Sequence, residues 1–194
     1  MRIKLINPNT TQRMTEAMGR CARDVVAPGT ELVAVSPTMG PPSIEGYYDE
    51  ALATPGLLAE IEAGEREGFD GYVIACFGDP GLYAARELAR GPVIGIAEAA
   101  MHAASVLAPG FSVVTTLSRT CGMAWHLAER YGMKRVCRTG RASPSSCWPV
   151  TYSTARGNGG SGSCCSASAC STGATDAGWS RAARAAASSR WASS

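Results

Sequence analysis

The sequence predicts an α/β fold over residues 1–136, a parallel sheet with helices on both faces, followed by a disordered or out-of-frame tail. Two observations carry this. Short β-rich runs alternate with segments of helical periodicity up to about Val136, the pattern of βαβ units. Beyond that point residues 137–194 contain no Leu, Ile, Phe, Met or Lys, so little aliphatic surface is available to offset the entropy of ordering the backbone.

Arg2–Asn7 opens the alternation as a strand, and Met14, Met18, Cys21 and Val25 recur at helical spacing behind it. Cys21 falls in that apolar stripe and is expected in the core. Glu31–Ser36 reads as the second strand. The long Ser36–Gly46 loop then either folds over the sheet edge or forms a rigid surface connection. Thr54-Pro55 has the form of an N-cap with proline at the first helical position, ahead of Leu57, Leu58 and Ile61. Gly71–Cys76 is the third strand, and Asp79-Pro80 repeats the capping pattern before Leu82, Ala85 and Leu88. Val93–Ile96 and Phe111–Thr116 are the remaining strands, Ala97–Leu107 and Ser118–Tyr131 the remaining helices.

The net charge of +2 conceals a split: residues 1–136 carry 12 Lys/Arg against 15 Asp/Glu, residues 137–194 six Arg against Asp176 alone. Cysteine divides the same way, with Cys21, Cys76 and Cys121 in the first part and Cys137, Cys147, Cys164, Cys165 and Cys170 in the last 58 residues. One reading of the tail is a Ser/Gly-rich disordered segment. The other is translation in the wrong frame, because five cysteines with Trp148, Trp179 and Trp191 are what a GC-rich region yields out of register. No Cys-x-x-Cys pair occurs and only two histidines are present, which argues against a zinc site. No run reaches the ~20 apolar residues of a membrane span, and Met1–Asn7 reads as a strand rather than a signal peptide. A cytoplasmic location is expected, with no membrane or nucleic-acid partner.

Cys76 is the leading candidate for chemistry. It ends a β-rich run before a Gly/Pro turn, at the carboxyl edge where open α/β sheets bind ligands. The N-terminus of the next helix is expected to lower its pKa; the alternative is a buried structural thiol. The first turn, Asn7-Pro8-Asn9-Thr10-Thr11, holds no Gly-x-Gly-x-x-Gly, which disfavours a dinucleotide site. Asn7 is placed to bond a small polar ligand, whereas Asn9 and Thr10 equally suit capping of the next helix. Asp79 is the N-cap of the helix beginning at Pro80, or a site residue. Thr115 and Thr116 offer hydroxyls at the fifth strand's end. Glu98 complements a helix dipole, Cys121 is expected to be structural, and His102 and His126 sit within helices as packed or solvated residues.

Together these pieces resemble the aspartate/glutamate racemase superfamily, and within it the hydantoin racemases. The resemblance rests on Ile6-Asn7-Pro8-Asn9-Thr10, the Pro41–Glu50 loop with Ser43-Ile44-Glu45-Gly46, Ala75-Cys76-Phe77-Gly78-Asp79-Pro80-Gly81, Gly95-Ile96-Ala97-Glu98-Ala99-Ala100 and Val114-Thr115-Thr116-Leu117. It runs from residue 1 to about 136. It implies two similar α/β lobes with a cysteine from each across the substrate: a first lobe over 1–110, the start of a second over 111–136, and the tail over 137–194.

The resemblance also implies a reaction. One thiolate removes the acidic hydrogen at C5 of a 5-monosubstituted hydantoin, and a second thiol returns a proton to the other face. The adjacent carbonyl takes up the carbanion, so no metal or other cofactor is expected. Cys76 matches the first-lobe cysteine as the catalytic group. Asn7, Ser43, Gly78, Asp79, Thr115 and Thr116 are placed around the substrate, and family members are expected to form homo-oligomers. The second cysteine is not recognisable: no apolar strand precedes Cys164, and neither it, Cys165 nor Cys170 inherits the role. Activity of this chain is therefore expected to be impaired. The alternatives are an allantoin or related racemase, a one-cysteine malonate-type decarboxylase, and an inactive truncated lobe.

Overall fold

A computed structural model describes residues 1–115 and 117–138. Its elements are β1 (Arg2–Ile6), α1 (Gln12–Arg23), β2 (Glu31–Val35), α2 (Tyr47–Glu67), β3 (Gly71–Ile74), α3 (Leu82–Leu88), β4 (Val93–Gly95), α4 (Ile96–Leu107) and α5 (Cys121–Arg130), the last preceded by a 3-10 turn at Ser118–Thr120. The four strands form one parallel sheet in the order β2-β1-β3-β4, as the alternating pattern predicts. Parallel crossovers are right-handed, so the reversal of direction between β1→β2 and β2→β3 puts α1 on one face and α2 and α3 on the other.

The core follows from the strand sequences. Ile6 and Ile74 are neighbours in register and fully buried, with Leu57 and Ile61 of α2, Leu82 of α3, Val93 and Met101 around them. Burying each such side chain contributes about 1.5–3 kcal/mol. Phe111, Leu127, Ala128, Tyr131 and Cys137 join the same cluster. A buried cation accompanies it: Lys4 of β1 donates to the Glu60 carbonyl at 2.9 Å and pairs with the Glu60 carboxylate at 3.0 Å. Among the described residues no helix is long and apolar enough to cross a membrane.

Four sequence expectations are corrected. Cys21 is exposed, and Val25 lies beyond the end of α1 with 72% of its surface exposed; the buried face of that helix is Thr15 and Gly19. The reason is closeness: a Cβ on Gly19 would lie 2.7 Å from the Ala34 Cβ, so only a small-residue face fits against β2. The second helix starts at Tyr47, not at Thr54-Pro55. Pro55 is accommodated inside it, and Thr54 turns its hydroxyl back to the Glu50 carbonyl at 2.9 Å. The third helix starts at Leu82 behind a left-handed Gly81, so Asp79 is not its N-cap. Phe111–Thr116 does not extend the sheet; among the described residues it makes one parallel bridge, Phe111 to Cys137. Phe111 donates to the Val136 carbonyl at 3.0 Å and accepts from the Arg138 amide at 2.6 Å.

Candidate active site

The strand order reverses between β1 and β3, and in open parallel sheets that switch point opens a crevice at the carboxyl ends. Asn7 follows β1 and Cys76 follows β3 by two residues. The Asn7 amide donates to Val35 at 2.9 Å and the Ala75 amide to Ile6 at 2.8 Å, so both residues leave the ladder at the same level.

A tight turn carries the thiol. The Asp79 amide donates to the Cys76 carbonyl at 3.0 Å, and Asp79 has φ 46°, the only left-handed residue other than glycine among those described. Cys76 is half-buried. Burial pushes its thiol up to about 11; the Gly78 amide opposes this, and the negative charges of Asp79 and Glu50 add to it. The lowering expected from a following helix does not occur, because α3 begins six residues on at Leu82. Cys76 therefore rests as a protonated thiol at neutral pH.

Behind the turn, Asp79 is 1% exposed. One carboxylate oxygen accepts from the Ala97 amide at 3.0 Å, the other from the Glu98 amide at 2.8 Å and the Tyr131 hydroxyl at 2.8 Å. Asp79 thus caps α4 through space. Burial raises its carboxyl above the ordinary range, opposed by these three donors. Glu98, in the first turn of α4, pairs with Arg86.

In front of the turn lies a small, shallow cleft lined by Tyr47 and Glu50 of α2, Gly78, and Met123, His126, Leu127 and Arg130 of α5. Tyr47 stacks on His126 with ring centroids 6.1 Å apart and bonds it through its hydroxyl. Burial raises the Glu50 carboxyl; Arg130 opposes that shift and Asp79 reinforces it. Among the described residues no group of three His, Cys, Asp or Glu is arranged to hold a metal ion.

The other residues singled out in the sequence are distributed unevenly. Gly78 lines the cleft. Asn7 is fully buried, its amide donating to Asn9 at 2.9 Å and Thr15 at 3.0 Å, so its side chain holds the β1–α1 turn. Asn9 accepts from the Thr11 amide at 2.9 Å, and Thr11 rather than Asn9 or Thr10 is the N-cap of α1. Ser43 is exposed and bonds Glu45. Its loop does fold over the sheet edge: Pro41 accepts from the Thr10 amide at 3.1 Å and Pro42 from the Thr11 hydroxyl at 2.6 Å. Thr115 is half-buried and bonds Thr120. His102 is solvated on α4, and Cys121 is exposed rather than packed. Thr116, Cys164, Cys165 and Cys170 lie outside the described residues. Glu50, Tyr47, His126, Arg130 and Tyr131 were not assigned to a site from the sequence. Reading α2 from Gly46 onward would have placed Glu50 in its first turn.

Comparison with known proteins bears on this geometry. The family model for Asp/Glu/hydantoin racemase matches residues 3–157, past the change in composition at Val136. A hydantoin racemase of Pseudomonas sp. (strain NS671) is 52% identical over 144 residues, 74% of this chain and 58% of that protein. One from Rhizobium meliloti is 51% identical over 142 residues, 73% and 59% of the two. The solved structure of an allantoin racemase from Klebsiella pneumoniae is 60% identical with a TM-score of 0.70, covering 71% of this chain and 56% of that one. The chain thus spans less than three-fifths of the length of these relatives.

Proposed function

Because the chain belongs to the Asp/Glu/hydantoin racemase family, we propose that it carries one half of a cofactor-independent racemase site for 5-monosubstituted hydantoins, with Cys76 as one of two proton-transfer groups. The observation that carries this is the Cys76 thiol at the switch point of the sheet, facing the Gly78 amide. A thiol held near 11 is a proton donor, suited to returning hydrogen to a C5 carbanion. The carbanion's charge spreads onto the C4 carbonyl, and backbone amides of the turn are the available donors for it.

The opposite proton transfer needs a second thiol. Of the other described cysteines, Cys21 and Cys121 are exposed on α1 and α5, and Cys137 is buried beside Phe111. On this reading the minor thiolate form of Cys76 takes the C5 hydrogen of at most one enantiomer, and the resulting thiol exchanges with solvent. The same sulfur returns a proton to the same face, so that enantiomer exchanges without inverting. In deuterated water one enantiomer of a 5-substituted hydantoin should gain deuterium with retained configuration, and Cys76→Ser should stop the exchange. Undiminished exchange in Cys76→Ser would refute the assignment. Release of carbon dioxide from an arylmalonate would favour the decarboxylase alternative.

The 60% identity to an allantoin racemase from Klebsiella pneumoniae gives a second reading specific support. Allantoin is itself a hydantoin with a ureido group at C5, so the two readings share the ring and differ in the substituent. The cleft beside Gly78 is rimmed by Tyr47, Glu50, His126 and Arg130, which suits a ureido group better than an alkyl one. Exchange rates on allantoin and on 5-benzylhydantoin compared side by side decide between them.

A further inference from the structure

Among the described residues, the carboxylate of Asp79 is the buried polar group at which the Cys76 turn, α4 and the end of α5 meet. Its own amide holds the Cys76 carbonyl, and its oxygens take the first amides of α4 and the hydroxyl of Tyr131, at the carboxyl end of α5. Three independent features keep it there. Its backbone stays at φ 46°, which a non-glycine residue adopts at a cost and which persists only when surroundings over-determine it. Asp79 and Tyr131 are 1% and 8% exposed, so their bond is shielded from competing water. The space is filled to contact as well: a Cβ on Gly95 would lie 2.5 Å from both carboxylate oxygens.

We propose that Tyr131 and the amino end of α4 act through the Asp79 carboxylate to fix the Cys76 turn, which makes Asp79 and Tyr131 positioning residues for the thiol. The catalytic meaning of this rests on the reading of Cys76 as a proton-transfer group; the geometry does not. The coupling runs from the Tyr131 hydroxyl to the carboxylate, through the Asp79 amide to the Cys76 carbonyl, and so to the thiol and the Gly78 amide it faces. Other charged groups are nearby. Glu50 of α2 is the second carboxylate acting on the thiol, Arg130 of α5 acts on Glu50, and Glu98 of α4, paired with Arg86 of α3, acts on Asp79.

Alkylation of the full-length chain by iodoacetamide as a function of pH, with each cysteine quantified by peptide mass spectrometry, tests the proposal without any substrate. Tyr131→Phe removes the hydroxyl alone, and the released turn should let Cys76 react roughly threefold to tenfold faster at pH 8, the range that one hydrogen bond carries. Cys137, buried in the same cluster as Tyr131, should keep its parent rate. Asp79→Asn also removes one of the two negative charges that add to the effect of burial on the thiol, so its Cys76 profile should move to lower pH. An unchanged Cys76 rate in Tyr131→Phe, an unmoved profile in Asp79→Asn, or equal acceleration of Cys76 and Cys137 would overturn the proposal. Were alkylation to behave as expected while Cys76→Ser retained deuterium exchange, the functional reading would fail and the positioning network would stand.

Discussion

Gly95→Ala is expected to be among the most damaging single-methyl additions in this chain. Gly95 ends β4 and precedes α4, at φ −84° and ψ 135°, so alanine fits its backbone. The difficulty is space, since the new Cβ would come within 2.5 Å of both Asp79 oxygens. The carboxylate must withdraw, and it cannot do so while keeping bonds of 3.0, 2.8 and 2.8 Å to Ala97, Glu98 and Tyr131. Overpacking costs about 1–3 kcal/mol, and losing one bond to a buried charge about 1.5–3 kcal/mol more. The total, roughly 3–6 kcal/mol, is a large part of a domain stability of about 5–15 kcal/mol. In urea denaturation followed by far-UV circular dichroism, the midpoint should fall by about 2 M for a slope near 2 kcal/mol/M. Gly78→Ala is the control: its Cβ would rest 3.8 Å from the Cys76 sulfur and 3.9 Å from Pro80, ordinary contact distances. That variant should stay within about 1 kcal/mol of the parent. If Gly95→Ala melts with the parent, or Gly78→Ala is equally damaged, the account of Asp79 as a tightly enclosed hub is wrong.

Lys4→Met should lower stability by up to about 3 kcal/mol, because it leaves Glu60 without its buried cation; Lys4→Met with Glu60→Leu should recover part of that loss in the same urea assay. Stability should also fall as pH rises from about 9 to 11. The folded Cys76 holds its proton up to about 11 against 9 for the unfolded thiol, so unfolding releases a proton across that window, a difference of roughly 2–3 kcal/mol. Urea midpoints at pH 8 and 11 check this, and Cys76→Ser should show a smaller decline between them. Leu57→Ala, at a fully buried α2 position of the core, should cost about 2–5 kcal/mol in the same assay.

What the sequence revealed was local. Gly71–Ile74 is a continuous apolar run with Gly71, Tyr72 and Ile74 buried, and a cysteine before a Gly/Pro turn behind it can only emerge at the carboxyl edge of the sheet. The matching motifs around Cys76 and Asn7 added the family. The start of α2 was hidden because Gly46 caps it without a side chain, while Thr54-Pro55 imitates a helix start in its interior. The face of α1 was misread because contact with Ala34 selects Gly19 over the larger residues of the stripe. Asp79 was read as capping its own neighbour. Its real partners lie 18, 19 and 52 residues away, at Ala97, Glu98 and Tyr131, and no spacing rule links a turn to bonds of that separation. The same holds for the cleft, whose α2 and α5 walls are brought together only by the packing of α5 on the core.

Residues on both sides of position 110 share one core. Phe111, Leu127 and Tyr131 are buried in the same cluster as Ile6, Ile74 and Met101, so α5 and the residues that frame it are held against the first sheet. Three polar contacts run from that segment back to the crevice: Arg119 to Glu45, His126 to Tyr47 and Tyr131 to Asp79. Their weights differ. Arg119 and Glu45 are both exposed, and a surface pair contributes about 0–1 kcal/mol. The Tyr47–His126 contact is exposed too. Burying Phe111 and Leu127 contributes about 1.5–3 kcal/mol each, so apolar docking decides that α5 binds the first lobe. Apolar docking tolerates small slides and rotations, which a site working on one carbon atom does not. The buried Tyr131–Asp79 bond removes that freedom, because any slide of α5 takes one of three donors from a carboxylate that water does not reach. The contact that sets the register of α5 is therefore the one that ends on the turn carrying the thiol.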